Sequence, residues 1–155
     1  MPRNILIAVD NTDASEKVLE WAIENLYREG DEFHLLHVIP VPMPEVIGGF
    51  AMDSIVTVDP DPATDLKHIS EAKEMMKSRF VTKLASRNIP YQVEIVHFLT
   101  DADSIGEAIV KRATALNAAA VCMAKHQRGA ISEFFLGSTT KYCTTHCTSP
   151  LIVLH

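Results

Sequence analysis

Five short apolar runs, separated by stretches whose apolar residues recur every three or four positions, leave this chain few folds to choose from. The runs cover residues 4–9, 32–38, 91–99, 119–124 and 150–154. Most are continuously apolar at their centres rather than strictly alternating, the mark of strands covered on both faces. Between them the period changes to that of a helix. Val18, Trp21, Ala22 and Leu26 make one buried stripe, in a helix that begins near Asp13, has Asp13 as its cap with Glu16 reaching back, and closes at Gly30. Ile69, Ala72, Met76, Phe80 and Leu84 make a second stripe, stopped by Asn88 and Pro90. Ile105, Ala108, Ile109, Arg112 or Ala113, and Leu116 make a third, opened by a Ser104–Glu107 capping box. A short fourth helix is expected from Ser138 to about His146.

Strand–helix–strand alternation with right-handed crossovers predicts an α/β, three-layer, doubly wound domain with a five-stranded parallel sheet and four main helices. Ligands of such sheets sit beyond the carboxyl ends of the strands, where the strand order switches. At 155 residues the chain fits a single domain spanning its whole length. The exception to its economy is residues 40–65, with Pro40, Pro42, Pro44, Pro60, Pro62 and the pair Gly48-Gly49. That excursion is long for a plain loop and is read as a mobile segment ahead of a cover over the site.

Composition narrows the function. Twenty acidic against fourteen basic side chains, a net charge of −6, argue against a non-specific nucleic-acid binder. No apolar run approaches the ~20 residues of a membrane span, and the first run, ended by Asp10, is no signal peptide. Three cysteines make no secreted disulfide framework, so a reducing cytoplasm is expected.

The stretch from the fourth run into the last helix carries the most chemistry. Gly137-Ser138-Thr139-Thr140 at a helix start is suited to an anion, because glycine lets backbone approach and the first-turn N–H groups and helix dipole favour negative charge. The competing reading makes Ser138 a plain N-cap. Lys125 and Arg128 stand nearby, expected as solvated surface rather than as offsetting charges, and His126 lies in the same loop.

In this stretch and along nearly its whole length the chain resembles the universal stress protein family. The resemblance includes Ile7-Ala8-Val9-Asp10 after the first run, Leu35-Leu36-His37-Val38 in the second, and the closing Ser149-Pro150-Leu151-Ile152-Val153-Leu154. It implies strand order 3-2-1-4-5, a homodimer through the C-terminal strand, and a site for ATP or AMP, with Mg²⁺ as companion ion. In that site Asp10 and Val38, beside Ala8 and Val9, would hold adenine and ribose. Met123, Ala124 and Gln127 would line ribose and the first phosphates, and Gly137, Ser138 and Thr139 the distal ones. The nucleotide-binding branch has Gly, two residues, Gly, nine residues, Gly, then Ser or Thr. Here the last Gly-Ser and the spacing are kept, but Ala124 and Gln127 replace the earlier glycines. If those glycines require positive φ, a side chain costs roughly 1–2 kcal/mol. The leading expectation is a nucleotide-binding sensor or regulatory module of the stress response with at most very slow ATP hydrolysis. The alternative is a nucleotide-free dimeric scaffold.

Other motifs fail on spacing. Neither a P-loop nor a Gly-x-Gly-x-x-Gly fingerprint is present, and a phosphoacceptor receiver domain would need an Asp after the third strand and a Lys after the fifth. Cys143, His146 and Cys147 share one helical turn but lack a further ligand pair for zinc, so they are expected to be core thiols and no metal site is assigned. His37 and His97 are expected to be hydrogen-bonded core residues. No catalytic set is assigned.

Overall fold

In the computed structural model, which describes residues 2–41, 62–99, 102–125 and 137–155, the strands are β1 (Asn4–Ala8), β2 (Glu32–Val41), β3 (Tyr91–Leu99), β4 (Ala120–Ala124) and β5 (Leu151–Leu154). All pairings are parallel and the order is β3-β2-β1-β4-β5, as the family resemblance implies. β1 is therefore central and wholly enclosed: Ile5, Leu6 and Ile7 are fully buried, which is why its run is continuously apolar rather than alternating.

The two faces carry separate cores. Ile5, Ile7, Val9, Phe33 and Leu35 pack under α1 (Asp13–Asn25) and under the long helical segment that starts with α2 (Pro62–Met76). Leu6, Leu36, Val121 and Met123 pack under α4 (Ala102–Leu116) and α5 (Ser138–His146). On the first face Arg79 of the long segment pairs with Asp13 and Glu16 of α1, and Lys83 with Glu16 and Glu20. Among the described residues no helix is long and apolar enough to cross a membrane.

Local details depart from the sequence expectations. Thr12, not Asp13, caps α1: its Oγ1 accepts from the Ser15 N–H at 3.3 Å, and Asp13 is the first helical residue. Gly30 does not close α1, which ends four residues earlier at its C-cap Leu26; with φ +94° it serves instead the turn into β2. The second stripe is not one α-helix. α2 passes through a π-helical turn (Lys77–Val81) into α3 (Thr82–Ala85), because Ala72, Met76, Phe80 and Leu84 step by four. An α-helix with 3.6 residues per turn drifts about 40° at each such step, and the wider turn brings the stripe back onto the sheet, so that all four are buried. The Ser104–Glu107 capping box does not form, since α4 already begins at Ala102 and Ser104 lies within it. β2 runs on to Val41 and α2 starts at Pro62, which shortens the 40–65 excursion from both ends; the rest of it, 42–61, lies outside the described residues.

The lower, amino-terminal end of the sheet is held by polar contacts. Arg3 donates from Nε and Nη2 to both carboxylate oxygens of buried Asp31, at 2.9 and 2.5 Å, and from Nη2 to the Leu26 carbonyl. One guanidinium thus joins β1, the end of α1 and the start of β2, and its hydrogen bond holds the Asp31 carboxyl below the usual carboxylate range. Nearby, buried His34 donates from Nε2 to Asn4 Oδ1 at 3.3 Å, a direction fixed because the Asn4 amide donates to the Leu116 carbonyl. Among the described residues His34 Nδ1 has no partner.

Burial lowers the pKa of His34 below its ordinary value; Arg112 adds to this, and Glu32 and Glu94 oppose it. The unfolded chain, with an imidazole pKa of about 6.5, therefore takes up the proton first. The stability this residue contributes is complete above that value and falls as pH drops through it. Going from about pH 7.5 to about pH 5.5, His34→Gln should lose less melting temperature than wild type, as followed by circular dichroism.

Candidate functional site

β1 stops at Ala8 while β2 continues to Val41, and this stagger creates the site. β1 pairs with β2 from Asn4↔Glu32 to Ala8↔Leu36, and one further bond, from the Val9 N–H to the Leu36 carbonyl at 2.9 Å, closes the ladder. In a parallel pair a residue turns its N–H and C=O to the same neighbour, and the next residue but one does likewise. Leu36 faces β1, so Val38 faces the space that β1 has left. In a continuing ladder the Val38 N–H would donate to the Val9 carbonyl. Instead that carbonyl accepts from His37 Nδ1 at 2.9 Å. Among the described residues the Val38 N–H and C=O have no partner, and Val38 is only half-buried.

Asp10 follows at once. Its Oδ1 accepts from the hydroxyls of Thr12 and of Ser15, the latter at 2.8 Å, while its N–H donates to Ser15 Oγ at 3.0 Å. Ser15 is buried, so the carboxylate is oriented from inside the fold. Thr12 does two things with one oxygen, since the hydroxyl that donates to Asp10 also caps α1.

On the other side of β1, β4 ends with Met123 and Ala124. Ala124 pairs with Leu154 within the sheet, and the positive-φ residues among those described are Gly30, Asn88 and Asn117. Ala124 therefore carries no left-handed strain, and its substitution for glycine adds only a methyl group. Gln127, like His126 and Arg128, lies outside the described residues. Lys125 is buried rather than solvated, and its N–H donates to the Leu154 carbonyl.

α5 begins at Ser138 as expected, but Gly137 is the N-cap, not Ser138. Its φ of −54° and ψ of 154° are open to any residue, and as a glycine it brings no capping side chain of its own. What glycine supplies here is the lack of a Cβ at the start of the helix that follows β4. α5 is set closely on α4, because Gly106 lies against Tyr142: a Cβ on Gly106 would meet Tyr142 Cδ1 at 2.8 Å. The topology thus gathers Ala8, Val9, Asp10, Val38, Met123, Ala124, Gly137, Ser138 and Thr139 at the carboxyl edge of the sheet, on the three central strands and the helix that follows β4.

The family model described as the universal stress protein family matches residues 1–155. The chain belongs to the universal stress protein family. A universal stress protein of Arabidopsis thaliana, PHOS34, is 29% identical over 98% of this chain, which spans 61% of that protein's length. A universal stress protein of Archaeoglobus fulgidus has the same fold, with a TM-score of 0.70, 18% identity and coverage of 100% and 99% of the two chains. A structure of an Archaeoglobus fulgidus family member in complex with dAMP has a TM-score of 0.64, 19% identity and coverage of 100% and 98%.

Beside this edge, on the α1–α2 face, a cleft of about 330 Å³ has Ile39, Ala72 and Met75 as apolar lining, with Asn11, His37, His68 and Glu71 around it. Among the described residues no three His, Cys, Asp or Glu side chains are arranged to hold a metal. The Cys143–His146–Cys147 turn behaves as core and helix surface: the Cys143 thiol points at the Gly106 carbonyl, and His146 stacks on Tyr142 with ring centroids 4.0 Å apart. His37 makes the hydrogen bond expected of it, though at the strand end rather than in the core. The side chain of His97 lies outside the described set.

Burial pushes the thiols of Cys122 and Cys143 up to about 12, while Cys147 is partly exposed. The thiolate is the reactive form. Iodoacetamide at about pH 8, below the thiol range, should label Cys147 first and leave the other two unmodified until the protein unfolds, as read by peptide mass spectrometry.

Proposed function

We propose that this chain binds an adenine nucleotide, ATP or AMP, and acts as a sensor or regulatory module in the stress response, as one cytoplasmic domain that pairs with a second copy of itself. The observation that carries this reading is the N–H and C=O of Val38 at the end of β2, which have no partner among the described residues. A donor and an acceptor side by side match the edge of adenine, whose ring nitrogen accepts and whose amino group donates. Guanine presents the reverse pattern and leaves both backbone groups unsatisfied, which costs about 1–3 kcal/mol for each group. The helix start at Gly137-Ser138-Thr139 supplies first-turn N–H groups, a helix dipole and hydroxyls suited to phosphate. Asp10, held by Ser15 and Thr12, offers a fixed carboxylate to a hydroxyl or amino donor. The family member seen with dAMP supports the same ligand class. Mg²⁺ would enter with the triphosphate, keeping its waters and the phosphate oxygens as ligands.

Hydrolysis is expected to be slow at most. The chain has no P-loop lysine.

The test is a melting series with ATP, AMP and GTP. Adenine nucleotide at a hundred times its dissociation constant should stabilise the fold by about 2.7 kcal/mol, a rise of several degrees, with GTP well behind. Gly137→Val should weaken ATP more than AMP, since it crowds the phosphate end. No shift with either adenine nucleotide would support the scaffold reading instead.

Self-association is read from β5. It is an edge strand, Leu151–Leu154, and its four residues are all half-buried and uncharged. The Pro150 and Leu154 carbonyls accept from the N–H groups of Val121 in β4 and of Lys125 just after it, so Leu151 and Val153 turn their backbone groups outward. An apolar edge of this kind calls for a partner, and a two-fold axis supplies an antiparallel one. Val153→Pro removes an outward N–H without touching the β4 pairing. Sedimentation should show a dimer for wild type and a monomer with unchanged circular dichroism for this variant.

A further inference from the structure

We infer that His37 is a positioning residue whose imidazole keeps Val38 open to the ligand by occupying the Val9 carbonyl. The inference rests on the adenine-nucleotide reading above and names what makes that site. The ladder between β1 and β2 has one more rung within reach. The Val9 N–H has already bonded to Leu36, the Val9 carbonyl is the next acceptor on β1, and the Val38 N–H is the next donor on β2. His37 Nδ1 sits 2.9 Å from that carbonyl and must be the donor, since a carbonyl only accepts. The backbone of His37 itself faces β3, where it is in register with Ile95. Its side chain, on the α1–α2 face with Ile39, therefore reaches the β1 side without using a ladder bond. With the acceptor taken, the Val38 N–H is left for something else, and the unpartnered C=O beside it completes a two-point reader.

The tautomer follows. With Nδ1–H donating to the Val9 carbonyl, the Nε2 end of the ring takes no part in that bond. A hydrophobic residue at this position would release the Val9 carbonyl to the Val38 N–H, lengthening the sheet by a rung and closing the reader. The strand would gain a bond and the site would lose one.

The experiment pairs AMP affinity, by calorimetry, with hydrogen exchange of the Val38 amide, by nuclear magnetic resonance, in ligand-free protein. Wild type should show a fast Val38 amide that slows when AMP binds. His37→Leu should slow that amide without ligand, keep or raise the melting temperature, and weaken AMP about ten-fold, the worth of one such bond. His37→Gln, whose side-chain amide can donate to Val9, should restore much of the affinity and the fast exchange. If AMP binds wild type and His37→Leu loses affinity while its Val38 amide stays as fast as in wild type, the inference is overturned and the proposed function stands. The same holds if His37→Leu binds as wild type does. If His37→Leu is unfolded, His37→Gln decides alone, and a weak binder with a slowed Val38 amide despite its donor overturns the mechanism. Wild type that binds neither AMP nor ATP overturns the proposed function and this inference together.

Discussion

Everything at the carboxyl edge depends on β1 stopping at Ala8 while β2 runs on beside it to Val41. Its neighbours must pair with it along their lower halves, because Ile5, Leu6 and Ile7 are buried on both faces and have no other way to satisfy their backbone. Past Ala8 the chain turns into α1, and β2 continues with only β3 at its side. A pocket at the centre of a parallel sheet needs no special loop. It needs one strand to leave early and its neighbours to stay.

What fixes the departure is a small set of polar side chains. Ser15 and Thr12 turn the chain at Asp10, and Thr12 starts the helix with the hydroxyl that also holds the carboxylate. Site and helix are in this sense one local structure. A change at α1's first turn cannot leave the Asp10 carboxylate where it is. At the opposite end, Arg3 and Asp31 set the starts of the same two strands, so the stagger is determined from below as well as from above.

The fold was legible because its information is periodic. Continuous apolar runs marked the strands, and stripes at three- and four-residue steps marked the helices, with the last helix expected from Ser138 to about His146 and found over Ser138–His146. Strand order came from family resemblance, since no period encodes which strand neighbours which. Caps were harder: Thr12 and Asp13 are both good capping residues, and only the backbone geometry chooses between them. The site was legible as a set of positions. The role of His37 was not, because a histidine in an apolar run predicts only that it will find a partner. Which carbonyl it finds, and what that denies to Val38, depends on the register of β1 against β2. The π turn left a readable trace, four apolar residues in steps of four from Ala72 to Leu84, that a period of 3.6 does not explain.

That turn has a consequence for length variation. A π-helical turn is an α-helix carrying one residue more than its pitch requires, with the surplus absorbed locally. Lys77 and Ser78 within it are both exposed, so the surplus sits on the solvent side. A chain lacking one of them would wind through as continuous α-helix and still present Met76 and Phe80 to the sheet. Single-residue gaps in relatives of this protein should therefore gather here, in the middle of a helix, where deletions are ordinarily least tolerated.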